Sequence, residues 1–184
     1  MAGSAAGEFD EAELVRRAQQ GDAQAFGALY DQHVDRVYAY IAHRVGNRAD
    51  AEDLTQEVFL RALASLSRFR WRGSLLPWLL TIARNLVTDH QRRRRREGAW
   101  PAAPLTAPAE DPVELAERRR QRERLRAAAA ELTELQQQVI ALRFAAGLSI
   151  AETARVMGRS ENAVKNLQHK AIAALRRRLK GEGG

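Results

Sequence analysis

The sequence predicts an all-α protein: two small helical domains joined by a Pro/Ala-rich linker, the second containing a helix-turn-helix. Three observations carry this expectation. Strong helix formers (Ala, Leu, Arg, Glu and Gln) dominate the 184 residues, and no alternating Val/Ile/Thr run argues for a sheet. Apolar residues recur at helical spacing in separate blocks. Four of the five prolines, Pro101, Pro104, Pro108 and Pro112, fall in one short stretch between those blocks.

The first periodic segment runs from about Ala23 to Val45. Phe26, Leu29, Tyr30, His33, Val37, Tyr40, Ile41 and Val45 recur at helical spacing, and Gly46 and Asn47 punctuate its end. A second helix starts near Asp50, read as its N-cap, with Leu54, Val58 and Ala62 inward and Phe59 and Leu63 alongside. Ser67 to Ser74, "SRFRWRGS", reads as a loop that interleaves aromatic and basic residues. A third helix runs from about Leu75 into the arginine run Arg92 to Arg96; Pro77 suits its first turn. Leu75, Leu79, Ile82, Ala83 and Leu86 form its apolar face. Trp78, Thr81, Asn85, Thr88 and Arg92 lie within roughly 80° of one another on another face.

The pattern then stops, and "EGAWPAAPLTAPAEDP" reads as an extended linker. Beyond it comes a charged helix from Val113 to about Ala130. Thr133 with Gln136 forms a capping-box pattern ahead of an apolar face of Leu135, Val139 and Leu142. Gly147 ends that helix. Ser149 with Glu152 repeats the box, Gly158 ends a short helix, and Ser160 caps the last one. The expected division is an N-terminal tail over 1–19, a first domain over 20–96, the linker over 97–112, a second domain over 113–180 and a C-terminal tail over 181–184.

Composition excludes several classes. There are no cysteines, hence no disulfides, thiol catalysis or Cys-type zinc sites; their absence fits a cytoplasmic setting. No stretch approaches 18 apolar residues, so no membrane insertion is expected, and the N-terminus lacks a signal-peptide pattern. His33, His43, His90 and His169 are scattered without ligand or triad spacing, so no metal, no cofactor and no catalytic residue is expected. The net charge of +7 is unevenly spread. Residues 1–60 hold 5 basic and 11 acidic side chains, and residues 61–100 hold 10 and 2. Residues 101–135 hold 6 and 7, and residues 136–184 hold 9 and 3. Two basic blocks suggest two DNA-facing patches, and the acidic block suggests a surface for another partner.

"SIAETARVMGRSENAVKNLQHKAIAALRRRLK" has the form of a helix-turn-helix. Ala154 stands where the second helix crosses the first closely, Gly158 where the turn needs positive φ, and Val164, Leu167, Ala171 and Leu175 bury the second helix. Its outward face carries Asn162, Lys165, Asn166 and His169, polar groups suited to base edges and phosphates. Arg155, Arg159 and Lys170 are placed to hold backbone phosphates. In the acidic block, Asp50, Asp53 and Glu57 share a helix with Gln56 and Phe59. This reads as a protein-docking surface, with a solvated acidic face as the alternative.

Together, "DAEDLTQEVFLRAL", "FRWRGSLLPWLLTIARNLVTDHQRRRRR" and "LTELQQQVIALRFAAGLSIAETARVMGRSENAVKNLQHKAIAALRRRL" resemble a bacterial sigma factor of the small, two-domain extracytoplasmic-function (ECF) subfamily, over about residues 20–180. The resemblance implies a transcription initiation factor, not an enzyme. Its partners would be core RNA polymerase (the β and β′ subunits), promoter DNA, double-stranded at the −35 element and single-stranded at the −10 element, and an anti-sigma factor.

It implies polymerase contacts by Asp50, Asp53, Leu54, Gln56, Glu57 and Phe59. Contacts to the −10 element would come from Phe69, Arg70, Trp71, Arg72, Gly73, Ser74, Trp78, Asn85 and Asp89; the polar stripe adds Arg92, and Arg95 returns near its face. Contacts to the −35 element would come from Arg155, Arg159, Ser160, Glu161, Asn162, Lys165, Asn166, His169 and Lys170. Two departures stand out. Trp71 and Arg72 precede Gly73, and Asn166 and Leu167 follow Lys165, so the family's base preferences do not carry over. The rival reading is a helix-turn-helix repressor or activator that dimerises through residues 20–90 and binds duplex tightly by itself.

Overall fold

The computed structural model describes residues 10–97, 127–129 and 131–181. The tails over 1–9 and 182–184, and nearly all of the expected linker and of the charged helix that follows it, lie outside the described residues. Among the described residues the regular elements are helical: α1 (Glu11–Gln19), α2 (Ala23–Val45), α3 (Arg48–Ser65), α4 (Leu76–Arg96), α5 (Glu134–Ile140), α6 (Ile150–Met157) and α7 (Glu161–Gly181), with a 3₁₀ turn at Leu66–Arg68 and a π-helical turn at Ala141–Ala145.

Helix α1 occupies part of what the sequence suggested was a tail. Asp10 caps it by accepting from the Ala12 N–H, Glu11 and Glu13 sit in its positive first turn, and Leu14, Val15 and Ala18 bury one stripe. It also completes α4. The N-cap of α4, Leu75, has no side-chain cap of its own. Glu11 Oε1 accepts the Leu75 N–H at 2.9 Å and lies 2.9 Å from His33 Nε2. One carboxylate thus joins α1, α2 and the start of α4. Burial pushes the Glu11 carboxyl up, but the hydrogen bonds from His33 and Leu75 outweigh it, and the net shift is downward.

Helix α2 starts and ends where its periodicity places it, with Asp22 capping the start and Gly46 at φ +79 closing the end. Helix α3 begins earlier than expected: its N-cap is Asn47, not Asp50. Asn47 Oδ1 accepts the Asp50 N–H at 2.8 Å, and the Asn47 amide bonds back to the Asp50 carboxylate. Asp50 therefore sits inside the first turn. Leu63, expected beside the inner face, is 53% exposed; it falls about 180° from Leu54 around the helix.

In the second half both capping boxes form, at Thr133/Gln136 and Ser149/Glu152. Gly158 ends α6 at φ +62, and Ser160 Oγ accepts the Ala163 N–H at 3.2 Å at the start of α7. Val139 and Leu142 are fully buried, but Leu135, expected beside them, is 36% exposed. The π turn is closed by a bond from the Ala146 N–H to the Ala141 carbonyl, 3.0 Å. It adds a residue to that turn and changes the phase of the face.

The two halves share one core. Val139, Leu142, Leu148, Val156 and Val164 belong to the same buried cluster as the interior of α1–α4, with a smaller cluster at Leu132, Ile140 and Ala171. Three arginines of the first half bond the second. Arg36 Nε donates to the Ala146 carbonyl at 2.8 Å, Arg84 Nη1 to the Val156 carbonyl at 2.8 Å, and Arg44 Nη1 to Gln137 Oε1 at 3.0 Å. Tyr40, fully buried, lies among them.

Candidate nucleic-acid and polymerase interfaces

The loop over residues 69–74 is held from beneath. Gln19 of α1 donates to the Leu66 and Phe69 carbonyls at 2.9 and 2.8 Å, and Gly73 turns the chain at φ +88. Phe69 is half-buried and stacks at a tilt on Trp78, centroids 4.8 Å apart, with Trp71 edge-on to it at 6.5 Å. Phe69 thereby serves as the pedestal of an aromatic cluster whose exposed member is Trp71, 38% open. Arg70, Arg72 and Gly73 are exposed and Ser74 is half-buried. A ring held beside free guanidinium groups can stack an unpaired base and attract its phosphate.

Along α4, the predicted stripe emerges beside that cluster. Asn85, Asp89 and Arg92 are exposed, and Trp78, Thr81 and Thr88 are half-buried. Thr81 and Thr88 turn their hydroxyls back onto the Pro77 and Arg84 carbonyls, at 2.9 and 2.8 Å, which leaves Asn85 and Arg92 as the polar ends of the stripe that face solvent. Arg92 Nη1 lies 4.0 Å from Asp89 Oδ1. The five arginines divide by environment. Arg92, Arg93, Arg95 and Arg96 are exposed, but Arg94 folds back to donate to Asp50 Oδ2 at 2.8 Å. His90 Nε2 lies 3.0 Å from the same oxygen. Burial raises the Asp50 carboxyl's pKa, but hydrogen bonding from Asn47 and the charges of His90 and Arg94 more than offset this, and it titrates below the usual aspartate range.

The expected docking surface on α3 needs correction. Leu54 and Phe59 are 8% and 5% exposed, packed into the core, and Tyr30 covers Phe59 with ring centroids 4.6 Å apart. Asp50 is engaged within the chain. Asp53 and Gln56 are exposed, and Glu57, half-buried, pairs with Arg61 at 2.6 Å. The apolar groups open to a partner are Leu60, 62% exposed, and Leu63, 53% exposed. At about 100° per residue, Asp53, Gln56, Glu57, Leu60 and Leu63 share an arc of roughly 120° opposite the buried stripe. The signal was present in the sequence: Leu60 and Leu63 fall out of phase with Leu54, Val58 and Ala62.

All nine residues expected on the helix-turn-helix surface are exposed: Arg155, Arg159, Ser160, Glu161, Asn162, Lys165, Asn166, His169 and Lys170. Val164 and Ala171 are fully buried behind them, Leu167 is half-buried, and Ala154 is buried where the two helices cross. The α7 face is thus rigidly backed and free toward solvent. Unexpectedly, the two candidate DNA surfaces touch: Arg155 Nη1 donates to the Arg72 carbonyl at 3.4 Å. Among the described residues no helix is long and apolar enough to cross a membrane, and no cluster of His, Asp and Glu could hold a metal ion.

Comparison with known proteins matches two family models along the chain. Residues 29–97 match the family model of Sigma-70 region 2, and residues 128–177 match that of Sigma-70, region 4. The chain is 46% identical over 171 residues to the ECF RNA polymerase sigma factor BldN of Streptomyces coelicolor, covering 91% of this chain and 65% of that protein. It is 35% identical over 163 residues to the ECF RNA polymerase sigma factor SigX of Bacillus subtilis, covering 85% of this chain and 84% of that one. The fold is similar to that of CnrH, solved in complex with the cytosolic domain of CnrY, with a TM-score of 0.75 at 24% identity over 94% of this chain and 99% of that chain.

Proposed function

The chain belongs to the ECF RNA polymerase sigma factors, and on that premise we propose that it binds core RNA polymerase and directs promoter-specific initiation in the cytoplasm. The outer face of α3 docks on the polymerase. The α7 face reads the −35 element as duplex. The 69–74 loop and the α4 stripe capture the −10 element as a single strand. An anti-sigma factor is the expected regulator. The protein supplies binding and strand capture; the chemistry belongs to the polymerase.

The observation that carries this reading is the Trp71 loop. A duplex-binding repressor has no use for an exposed tryptophan held on an aromatic pedestal between two free arginines, outside its helix-turn-helix. Opening a promoter costs a few kcal/mol of unstacking and unpairing per base. Stacking on an aromatic ring returns about 1–3 kcal/mol per base. Trp71 and Trp78 can therefore trap an opened strand, and the basic residues 61–100 add backbone attraction. Run-off transcription with purified core polymerase on genomic promoter fragments tests the reading. Promoter-specific transcripts that depend on this chain support it. A gel shift in which the chain alone binds duplex as tightly as the chain with core polymerase supports the repressor instead.

A further inference from the structure

We infer that α1 braces the strand-capture loop, with Gln19 as a positioning residue that orders residues 69–74 before DNA arrives. The inference deepens the strand-capture reading of that loop and rests on it. Three observations support it.

First, α1 holds the loop at both flanks. At the near flank Gln19 Nε2 donates to the Leu66 carbonyl at 2.9 Å and to the Phe69 carbonyl at 2.8 Å. At the far flank Glu11 Oε1 accepts the Leu75 N–H at 2.9 Å, and the buried His33 steadies the same oxygen. The two side chains stand eight residues apart on α1, about 12 Å along its axis. Leu14, Val15 and Ala18 fix that axis in the core that also holds Leu66 and Leu75.

Second, the bonds reach the stacking surface. The Phe69 carbonyl held by Gln19 belongs to the residue whose ring carries Trp78 at 4.8 Å and Trp71 at 6.5 Å. Leu75, whose N–H Glu11 holds, accepts the Trp78 backbone N–H through its own carbonyl at 3.0 Å. Both anchors therefore set where the two indoles stand.

Third, the tip has little packing of its own. Arg70, Trp71, Arg72 and Gly73 are exposed, and a Cβ at Gly73 would meet nothing within 4 Å. The bond that Arg155 donates to the Arg72 carbonyl is long, at 3.4 Å, and weak. Order in such a tip must come from its flanks. A loop left free would lose conformational freedom at every residue when it takes up a base, and that loss weakens capture. A loop ordered beforehand has already lost it during folding.

The test uses the full-length chain with core polymerase and a promoter fragment on which it initiates. Gln19→Met keeps the length of the side chain and removes both donors. Strand opening, read by permanganate reactivity of unpaired thymines, should slow by about 5- to 100-fold, as the loss of two hydrogen bonds implies. Affinity for core polymerase and for a −35 duplex should stay within about twofold of the parent. Gln19→Lys, which restores a donor, should recover most of the opening rate. Arg16→Ala, exposed on the same helix, should match the parent. A merely structural loss would lower all three readouts together. Opening at the parent rate in Gln19→Met overturns the brace, and so does a loss shared with core affinity or left unrepaired by Gln19→Lys. If Gln19→Met melts early, amide exchange of the unsubstituted free chain decides. The Phe69 and Leu75 N–H groups should be protected at least about tenfold over an unstructured peptide, and exchange as fast as that peptide overturns the brace. Failure of the parent to open any promoter fragment overturns the strand-capture reading instead, and amide exchange tells the two failures apart.

Discussion

Replacing Leu60 and Leu63 together by alanine should separate docking from folding. Complete burial of a leucine side chain contributes about 1.5–3 kcal/mol. Leu60 and Leu63 are 62% and 53% exposed, so a partner that covers them recovers about 1–2 kcal/mol each, or about 2–4 kcal/mol for the pair. Core polymerase affinity should therefore fall by about 30- to 700-fold. Stability should change by no more than about 0.5 kcal/mol, because the sites are exposed and alanine is a good helix former. The comparison variants are Leu54→Ala and Phe59→Ala, whose side chains lie in the core. They should cost about 2–5 kcal/mol of stability each and lose polymerase binding only through unfolding. The assays are titration of a fluorescent chain with core polymerase and thermal unfolding of each variant. The reasoning is refuted if the Leu60/Leu63 variant binds core within about threefold of the parent or melts as early as Leu54→Ala.

The arginine run should divide in the same way. Arg94→Ala breaks a pair whose side chains are 30% and 28% exposed; it should cost about 1–2 kcal/mol in a denaturant melt, between a surface and a buried pair, and leave the salt dependence of promoter binding unchanged. Arg92→Ala or Arg95→Ala, measured with the holoenzyme, should weaken promoter binding and reduce the slope against log salt by about one. Acid stability should follow Asp50 and Glu11. Both carboxyls titrate lower in the folded chain than in the unfolded one, so their contribution is present above about pH 4 and is lost as the pH falls through the folded values; Asp50→Asn with Glu11→Gln should flatten that limb of the stability profile. Gly158→Ala should cost about 1–2 kcal/mol by the same melt, because φ is +62 while nothing lies near the added Cβ, and a larger loss would mean that the turn's backbone moves.

Much of the fold was legible because its signals are local. The span of α2, both capping boxes, Gly158 in the turn and the exposed face of α7 follow from spacing, hydrogen-bonding side chains and one residue without a Cβ. The core-facing stripe of α3 was legible too, and so was the arginine division in outline, since Arg94 points away from Arg92. Helix α1 carried the same kind of signal in Asp10, Glu11, Leu14, Val15 and Ala18, but it is short and its role is remote: it caps α4 and props the 69–74 loop, and no local pattern names the helix end that Glu11 will reach.

What the sequence determined by itself is which residues form helices, which stripe of each is apolar and which motifs mark the two halves, because these depend on neighbours within a turn or two. What only the tertiary structure decided is which of those residues remain available. Leu54 and Phe59 went to the core and left Leu60 and Leu63 outside; Asp50 became the anchor of Arg94; Arg36 and Arg84 joined two halves that read as separate. Availability depends on what packs against a side chain from tens of residues away. That packing is set by the summed burial of all the stripes, and no periodicity within one helix records it.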